Sequence, residues 1–198
     1  MSNNLLFVYG SMAEGMVHFE KIKDFISSVK PAFTKGTMLR LKVGFPAMVL
    51  EGQDKINGQL LEIKSSDMLW HILDGFYGYN TQDPSKSLYH REIVYVMVGD
   101  QMLQSWVYVL NKQKLPQTLN VIENGDWEAC MRASPPLTEK LSEKQRNYIL
   151  KLGSSSGREI VPIDMTLYRE LMSLELIVDK GRRLALSKLG IELFKLLN

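Results

Sequence analysis

The residues best placed to hold a small anion are Tyr9-Gly10-Ser11-Met12, directly after an apolar run that begins at Leu5. A strand end that passes into a helix aims backbone N–H groups at one spot where an anion can rest. Gly10 would let the backbone approach a ligand without a Cβ in the way, although a tight strand-to-helix turn requires a glycine on its own account. Other chemistry is poorly supplied. His18, His71 and His90 are scattered and no cysteine or acidic cluster accompanies them, so neither a metal nor a cofactor is expected. Ser11 lacks the G-x-S-x-G setting of a nucleophilic serine and has no evident histidine partner. Cys130, the single cysteine, excludes an internal disulfide and reads as a small half-buried filler.

The elements that would position these residues follow from periodicity. Leu5 to Tyr9 reads as a strand, and Ile22, Phe25, Ile26 and Val29 recur at helical spacing until Pro31. Thr37–Leu41, Ala47–Leu50 and Asn57–Ile63 read as short strands, broken by Gly44-Phe45-Pro46 and by a polar turn at Gly52-Gln53-Asp54. Met68–Leu73 is expected to be a short helix capped by Ser65 or Ser66, with a surface loop from Asp74 to Lys86. Tyr89–Val98 and Met102–Leu110 read as long strands joined by a tight turn at Gly99-Asp100. On the first, Tyr89, Arg91, Ile93 and Tyr95 share a face; on the second, Trp106 and Tyr108 do.

With 45% hydrophobic and 23% charged residues, the 198-residue chain has the composition of a packed protein with room for one ordinary domain and a small appendage. No run is long and apolar enough for a membrane span, and the N-terminal segment lacks the pattern of a secretory signal, so the expected compartment is the cytoplasm. The net charge of +2 is too small to imply nucleic acid by itself. Its excess sits in the last third, where residues 138–198 carry 11 basic against 8 acidic residues.

Three separated stretches resemble the γ-glutamylcyclotransferase superfamily, which includes γ-glutamylamine cyclotransferases and avirulence-induced proteins. They are FVYGSM at Phe7–Met12, FPAMVL with INGQLLEI between Phe45 and Ile63, and LDGFYGYNTQDPSKSLYHREIVYV at Leu73–Val96. NGDWEAC at Asn124–Cys130 is similar to the segment that closes the family's domain. The resemblance implies an α+β fold, a small mixed β-barrel with flanking helices, over residues 1–134. It also implies a chemistry, in which the α-amine of a γ-glutamyl group attacks its own γ-carbonyl, releasing an amine and leaving 5-oxoproline. The ligand would carry a carboxylate and an amine, and glutathione and γ-glutamylamines belong to that class. Tyr9, Gly10, Ser11 and Met12, with Tyr89 and Tyr108 on the strands, fall on the family's substrate-binding positions.

One departure stands out within the resemblance: Tyr77 occupies the position of the family's catalytic glutamate. A phenol with its ordinary pKa of about 10 is ionised in roughly one molecule in a thousand at pH 7, where a carboxylate is almost fully ionised. Making such a base available costs roughly 4 kcal/mol more, so cyclotransferase activity is expected to be lost or altered. Tyr77 has three readings: a ring that plugs the pocket, a hydrogen-bonding group for a different ligand, or a packing residue on a loop shoulder. Glu14 is the best substitute base. Glu92 faces away from Tyr89 and Arg91 by strand alternation, and Asp74 is expected to cap backbone N–H groups of the loop.

Residues 135–198 fall outside the resemblance, with the boundary placed at Arg132-Ala133-Ser134-Pro135-Pro136. Ser142 with Gln145 signals a capped helix, Asp164 a second, Leu176–Leu186 a small hairpin with a basic turn, and Ser187 a last helix. This order loosely resembles a winged helix, with Lys180, Arg182 and Arg183 on the wing, though the third helix of such a domain would have to fit within Ser156–Pro162. The expectation is that its stripe of Leu167, Leu171, Leu174, Leu189, Leu193 and Leu196 packs on the first domain or on a second copy, with nucleic acid the minor alternative. A DNA-linked regulator that senses a metabolite is therefore the third functional class, after a small-molecule binding domain and an active cyclotransferase.

Overall fold

Ile26 begins a strand instead of continuing a helix. In the computed structural model, which describes residues 4–64, 67–115, 120–156 and 159–198, two single 3-10 turns at Phe19–Lys21 and Lys23–Phe25 lead into a strand from Ile26 to Arg40. The expected helix over Ile22–Val29 is thus corrected. Its apolar spacing was real, but Val29, Phe33 and Thr34 favour a pleated surface, and pairing along a partner strand outweighs a local helical preference. That partner runs unbroken from Pro46 to Ile63, so the turn expected at Gly52-Gln53-Asp54 is instead an irregularity inside one strand, where the register shifts between Gly36 and Thr37.

The strands are β1 (Leu5–Val8), β2 (Ile26–Arg40), β3 (Pro46–Ile63), β4 (Tyr89–Val98) and β5 (Gln101–Leu110). They close into a barrel in the order β1-β3-β2-β4-β5. β1 meets β5 in parallel at Leu6↔Trp106, and the other pairings are antiparallel. Alternate residues fill the interior, among them Phe7, Met38, Met48, Ile56, Val96 and Val107, all buried, while Leu6 and Leu61 share the opposite face with Trp106. The α+β barrel implied by the resemblance is the fold observed.

Helix α1 (Asp67–Tyr77) is longer than the sequence signal, so Tyr77 lies on its last turn and not on a loop. Its expected caps, Ser65 and Ser66, lie outside the described residues. The helix ends in a Schellman motif: Tyr79 N–H donates to the Asp74 carbonyl, Gly78 N–H donates to the Gly75 carbonyl, and Gly78 takes the left-handed φ of 65°. Gly78 was the available sign of this end. The β4–β5 hairpin turns at Gly99-Asp100 and pairs Arg91 with Tyr108 and Ile93 with Trp106.

A second compact unit comprises Ser134–Asn198 together with Lys42–Gly44. It holds α3 (Leu137–Lys140), α4 (Glu143–Ser154), α5 (Met165–Ser173), the hairpin β6 (Ile177–Asp179) and β7 (Leu184–Leu186), and α6 (Lys188–Leu197); α2 (Trp127–Ala133) precedes it in the barrel unit. Ser142 and Gln145 form a reciprocal capping box, Asp164 caps α5 through Thr166 and Leu167 N–H, and Ser187 caps α6 through Gly190 N–H. The leucine stripe has a different use from the one expected. Leu167, Leu171 and Leu193 belong to the unit's own core with Ile149, Leu152 and Leu176, and Leu174 and Leu189 pack against that core. No helix occupies the described residues between Ser156 and Pro162. Among the described residues, no helix is long and apolar enough to cross a membrane.

Candidate functional site

Tyr108 is the hub of a cluster built from three strands and α1. Strand pairing sets Tyr108 opposite Arg91 on β4, with Tyr89 two residues earlier on the same face. At the end of β1, Tyr9 donates its hydroxyl to the Tyr108 carbonyl at 2.8 Å, and its oxygen accepts from Met48 N–H at 3.0 Å. This phenol braces β1 against β3 and β5. Burial pushes it well above its ordinary pKa, and the neighbouring Tyr89 and Tyr77 phenols push it further.

From α1, Asp74 reaches the same hub. Tyr108 donates its hydroxyl to Asp74 Oδ1 at 2.5 Å, and Arg91 Nη1 lies 3.5 Å from the same oxygen. The expected role of the Asp74 side chain, capping loop N–H groups, is therefore corrected: helical phase turns its carboxylate onto β4 and β5. Burial and the hydrogen bond to Asp74 both push the Tyr108 phenol far above its usual pKa. The Arg91 guanidinium is 4.6 Å from the Trp70 ring centroid, 5.4 Å from Trp106 and 5.5 Å from Tyr79. Sequence reasoning missed this cage, although Trp70 and Asp74 are spaced i, i+4 on one helix face and Trp106 shares its sheet face with Tyr108.

Tyr77 turns into the cluster. Its ring stacks on Tyr108, with centroids 4.2 Å apart and planes 10° from parallel, and meets Tyr89 edge-on at 5.2 Å. Burial pushes its phenol well above the ordinary value. Among the described residues no hydrogen-bond partner meets its hydroxyl. On the other side Phe76 touches Tyr77 at 5.0 Å and buried His18 at 4.9 Å.

Gly10–Met12 forms a single 3-10 turn that ends at the extended residue Ala13, so the helix expected after this loop is absent. With φ at 69°, Gly10 adopts a backbone that side-chain-bearing residues avoid. A Cβ there would stand 2.8 Å from Pro46 Cγ, so the position needs glycine for packing on the next strand as well as for the turn. Met12 is buried and Ser11 half-buried. The first N–H groups of a helical turn have no partner within it, and among the described residues no backbone carbonyl outside it accepts from those of Gly10, Ser11 and Met12. Glu14 is exposed, and its N–H donates to Gln59 Oε1 at 2.6 Å. Glu92 sits opposite Val107, exposed. Among the described residues no group of three or more His, Cys, Asp or Glu side chains is placed to hold a metal ion.

Residues 6–129 match the family described as gamma-glutamyl cyclotransferase, AIG2-like. The chain belongs to this family. Its barrel unit resembles YkqA from Bacillus subtilis, at 24% identity and a TM-score of 0.51, over 67% of this chain and 42% of that one. It also resembles a mouse AIG2-like protein, at 17% identity and a TM-score of 0.50, over 62% of this chain and 88% of the mouse chain. At these identities the likenesses speak for the fold, and the chain spans under half the length of the Bacillus protein. No curated protein matches it. Membership of the AIG2-like family brings a gamma-glutamyl cyclotransferase-like function to the barrel unit, and the match stops short of Ser134–Asn198.

Proposed function

We propose that the barrel unit binds a small γ-glutamyl or amino-acid-like compound beside the Gly10–Met12 turn and the tyrosine cluster, and that it turns such compounds over slowly or not at all. The observation that carries this reading is the Tyr77 ring stacked on Tyr108 at 4.2 Å, with its phenol pushed up by burial. By the family resemblance that position should present a carboxylate to the substrate's ammonium. A phenol raised in this way is protonated at neutral pH, so the proton that must leave the amine before ring closure has no acceptor there.

Holding the ligand is a separate demand from transforming it. The turn's N–H groups suit a carboxylate, and the tyrosine faces suit the short aliphatic stem of a glutamyl group. The stacked ring also takes up room, which favours a small ligand. Calorimetric titration of the wild type, Tyr77→Ala and Tyr77→Glu with glutamate, 5-oxoproline and γ-glutamyl dipeptides tests the reading. Binding in the wild type, with larger ligands admitted in Tyr77→Ala, is the expected result. Undetectable binding in all three folded proteins would reduce the Gly10–Met12 turn to plain architecture.

A second reading, an active cyclotransferase with a displaced base, draws on one observation: the Asp74 carboxylate is hydrogen-bonded to the Tyr108 hydroxyl. Tyr108 would accept a proton from the substrate ammonium while passing its own to Asp74. Under this reading Asp74→Asn and Tyr108→Phe would each abolish 5-oxoproline release, and Glu14→Gln would not. Under the relocated-base alternative first read from the sequence, Glu14→Gln would abolish it.

A further inference from the structure

The sheet face that carries Arg91 and Trp106 continues along the β4–β5 hairpin as an uncovered apolar surface. Trp70 of α1 reaches Arg91 and Trp106 on this face. Beyond them Ile93, Tyr95 and Met102 are 49%, 61% and 64% exposed, an unusual grouping of large apolar side chains on one strand pair. Next to them the barrel has a seam: β2 and β4 share the pair Phe33↔Met97, reinforced where the Thr34 hydroxyl donates to the Tyr95 carbonyl at 2.8 Å. At this seam lies a cavity of about 240 Å³ lined by Phe33, Thr34, Lys35, Tyr95, Met97 and Met102.

Its charge has one sign. Strand alternation and register put Lys35 and Lys55 directly opposite each other on the face of Phe33, while no Asp or Glu of β2, β3, β4 or β5 falls on that face between Phe33 and Met102. Lys55 Nζ hangs 4.4 Å above the Phe33 ring, and Lys35 Nζ donates to Gln53 Oε1 at 3.1 Å. Both lysines are exposed and able to turn toward an anion. A second copy of the same face would bring cations against cations, which disfavours self-association there. The volume is below the roughly 300–1,000 Å³ of drug-sized sites, which suits a short apolar body.

We propose that this seam is a second binding site, separate from the tyrosine cluster, for an amphiphilic monocarboxylate. Its apolar chain or ring lies on Phe33, Met97 and Met102 beneath Tyr95, and its carboxylate pairs with Lys35 and Lys55. Methionine and aromatic side chains conform to apolar bodies of varied shape, and paired lysines add the charge selectivity.

The test is a titration of the full chain carrying ¹³C-methyl methionine, with Met97→Leu and Met102→Leu used to assign two resonances. Decanoate, decanol and decyltrimethylammonium, each below its micelle threshold, serve as probes of one apolar body with three head groups. Saturable shifts of Met97 and Met102 with decanoate are expected, with decanol and the ammonium at least tenfold weaker. Lys55→Gln should weaken decanoate several-fold, and Lys35→Glu with Lys55→Glu at least tenfold, while leaving the Met12 and Met48 resonances in place as a check on the fold. Equal affinity for decanoate and decanol would overturn the proposal, as would saturable shifts that leave Met97 and Met102 unmoved, or no saturable shift at all.

Discussion

The barrel unit and the second unit solve burial in different ways. The second unit's core is aliphatic apart from Tyr148, whose hydroxyl donates to the Val161 carbonyl at 3.1 Å. The barrel instead gathers Tyr9, Tyr77, Tyr89 and Tyr108 with a carboxylate and a guanidinium. Burying phenols and charges costs desolvation that aliphatic packing avoids, and single partners must then be met by specific bonds. An aliphatic core holds its unit together by shape and area, whereas the polar cluster fixes particular atoms in particular places. The family match covers the region with the cluster and not the region with the plain core.

Substitutions should separate the two kinds of core. Leu171→Ala removes a fully buried side chain from the aliphatic unit and should cost about 2–5 kcal/mol, read as a lowered denaturation midpoint of that unit. Asp74→Ala leaves the Tyr108 hydroxyl and Arg91 without their shared partner, for a smaller loss of about 1–3 kcal/mol, while Asp74→Asn keeps an acceptor and should recover part of it. Equal losses for Ala and Asn would mean that the charge, and not the hydrogen bond, carries the contact.

The two units should also respond to opposite ends of the pH scale. Tyr77 and Tyr108 are raised in the folded state, so their contribution is present below the ordinary phenol value near 10 and is lost as pH rises beyond it. Absorbance titration should show these phenols ionising only as the barrel unfolds. In the second unit the Asp164 carboxyl is held low by Leu167 N–H and then by Lys144. Its contribution is present above about pH 4 and fades as pH falls through its depressed folded value, and Asp164→Asn should flatten that small acid-side dependence.

Local signals carried much of this architecture. The caps at Ser142, Asp164 and Ser187, the Gly99-Asp100 hairpin and the facing of Tyr89 and Arg91 were legible because each depends on a few neighbouring residues. What depended on distant partners was not. The Ile22–Val29 spacing looked helical until β3 claimed residues 26–40, and the leucine stripe looked like an interface until the unit's own core took it in. At the site, Tyr77 and Tyr108 could be named, but their stacking required α1 to run one turn further than Leu73. The Asp74–Tyr108 bond joins residues 34 positions apart, and no local pattern announces it.

The proposed function turns on Tyr77, a half-buried ring standing where a proton acceptor is expected beside a ligand site that is kept. Release of 5-oxoproline from γ-glutamyl dipeptides, γ-glutamylamines and glutathione by the wild type and Tyr77→Glu at neutral pH tests it most directly. Little or no product is expected from the wild type, and a gain of at least a hundredfold in Tyr77→Glu, within the range that a positioned general base supplies. Wild-type turnover near one per second or faster, about the lower end of ordinary enzymes, with Tyr77→Glu no better, would contradict it.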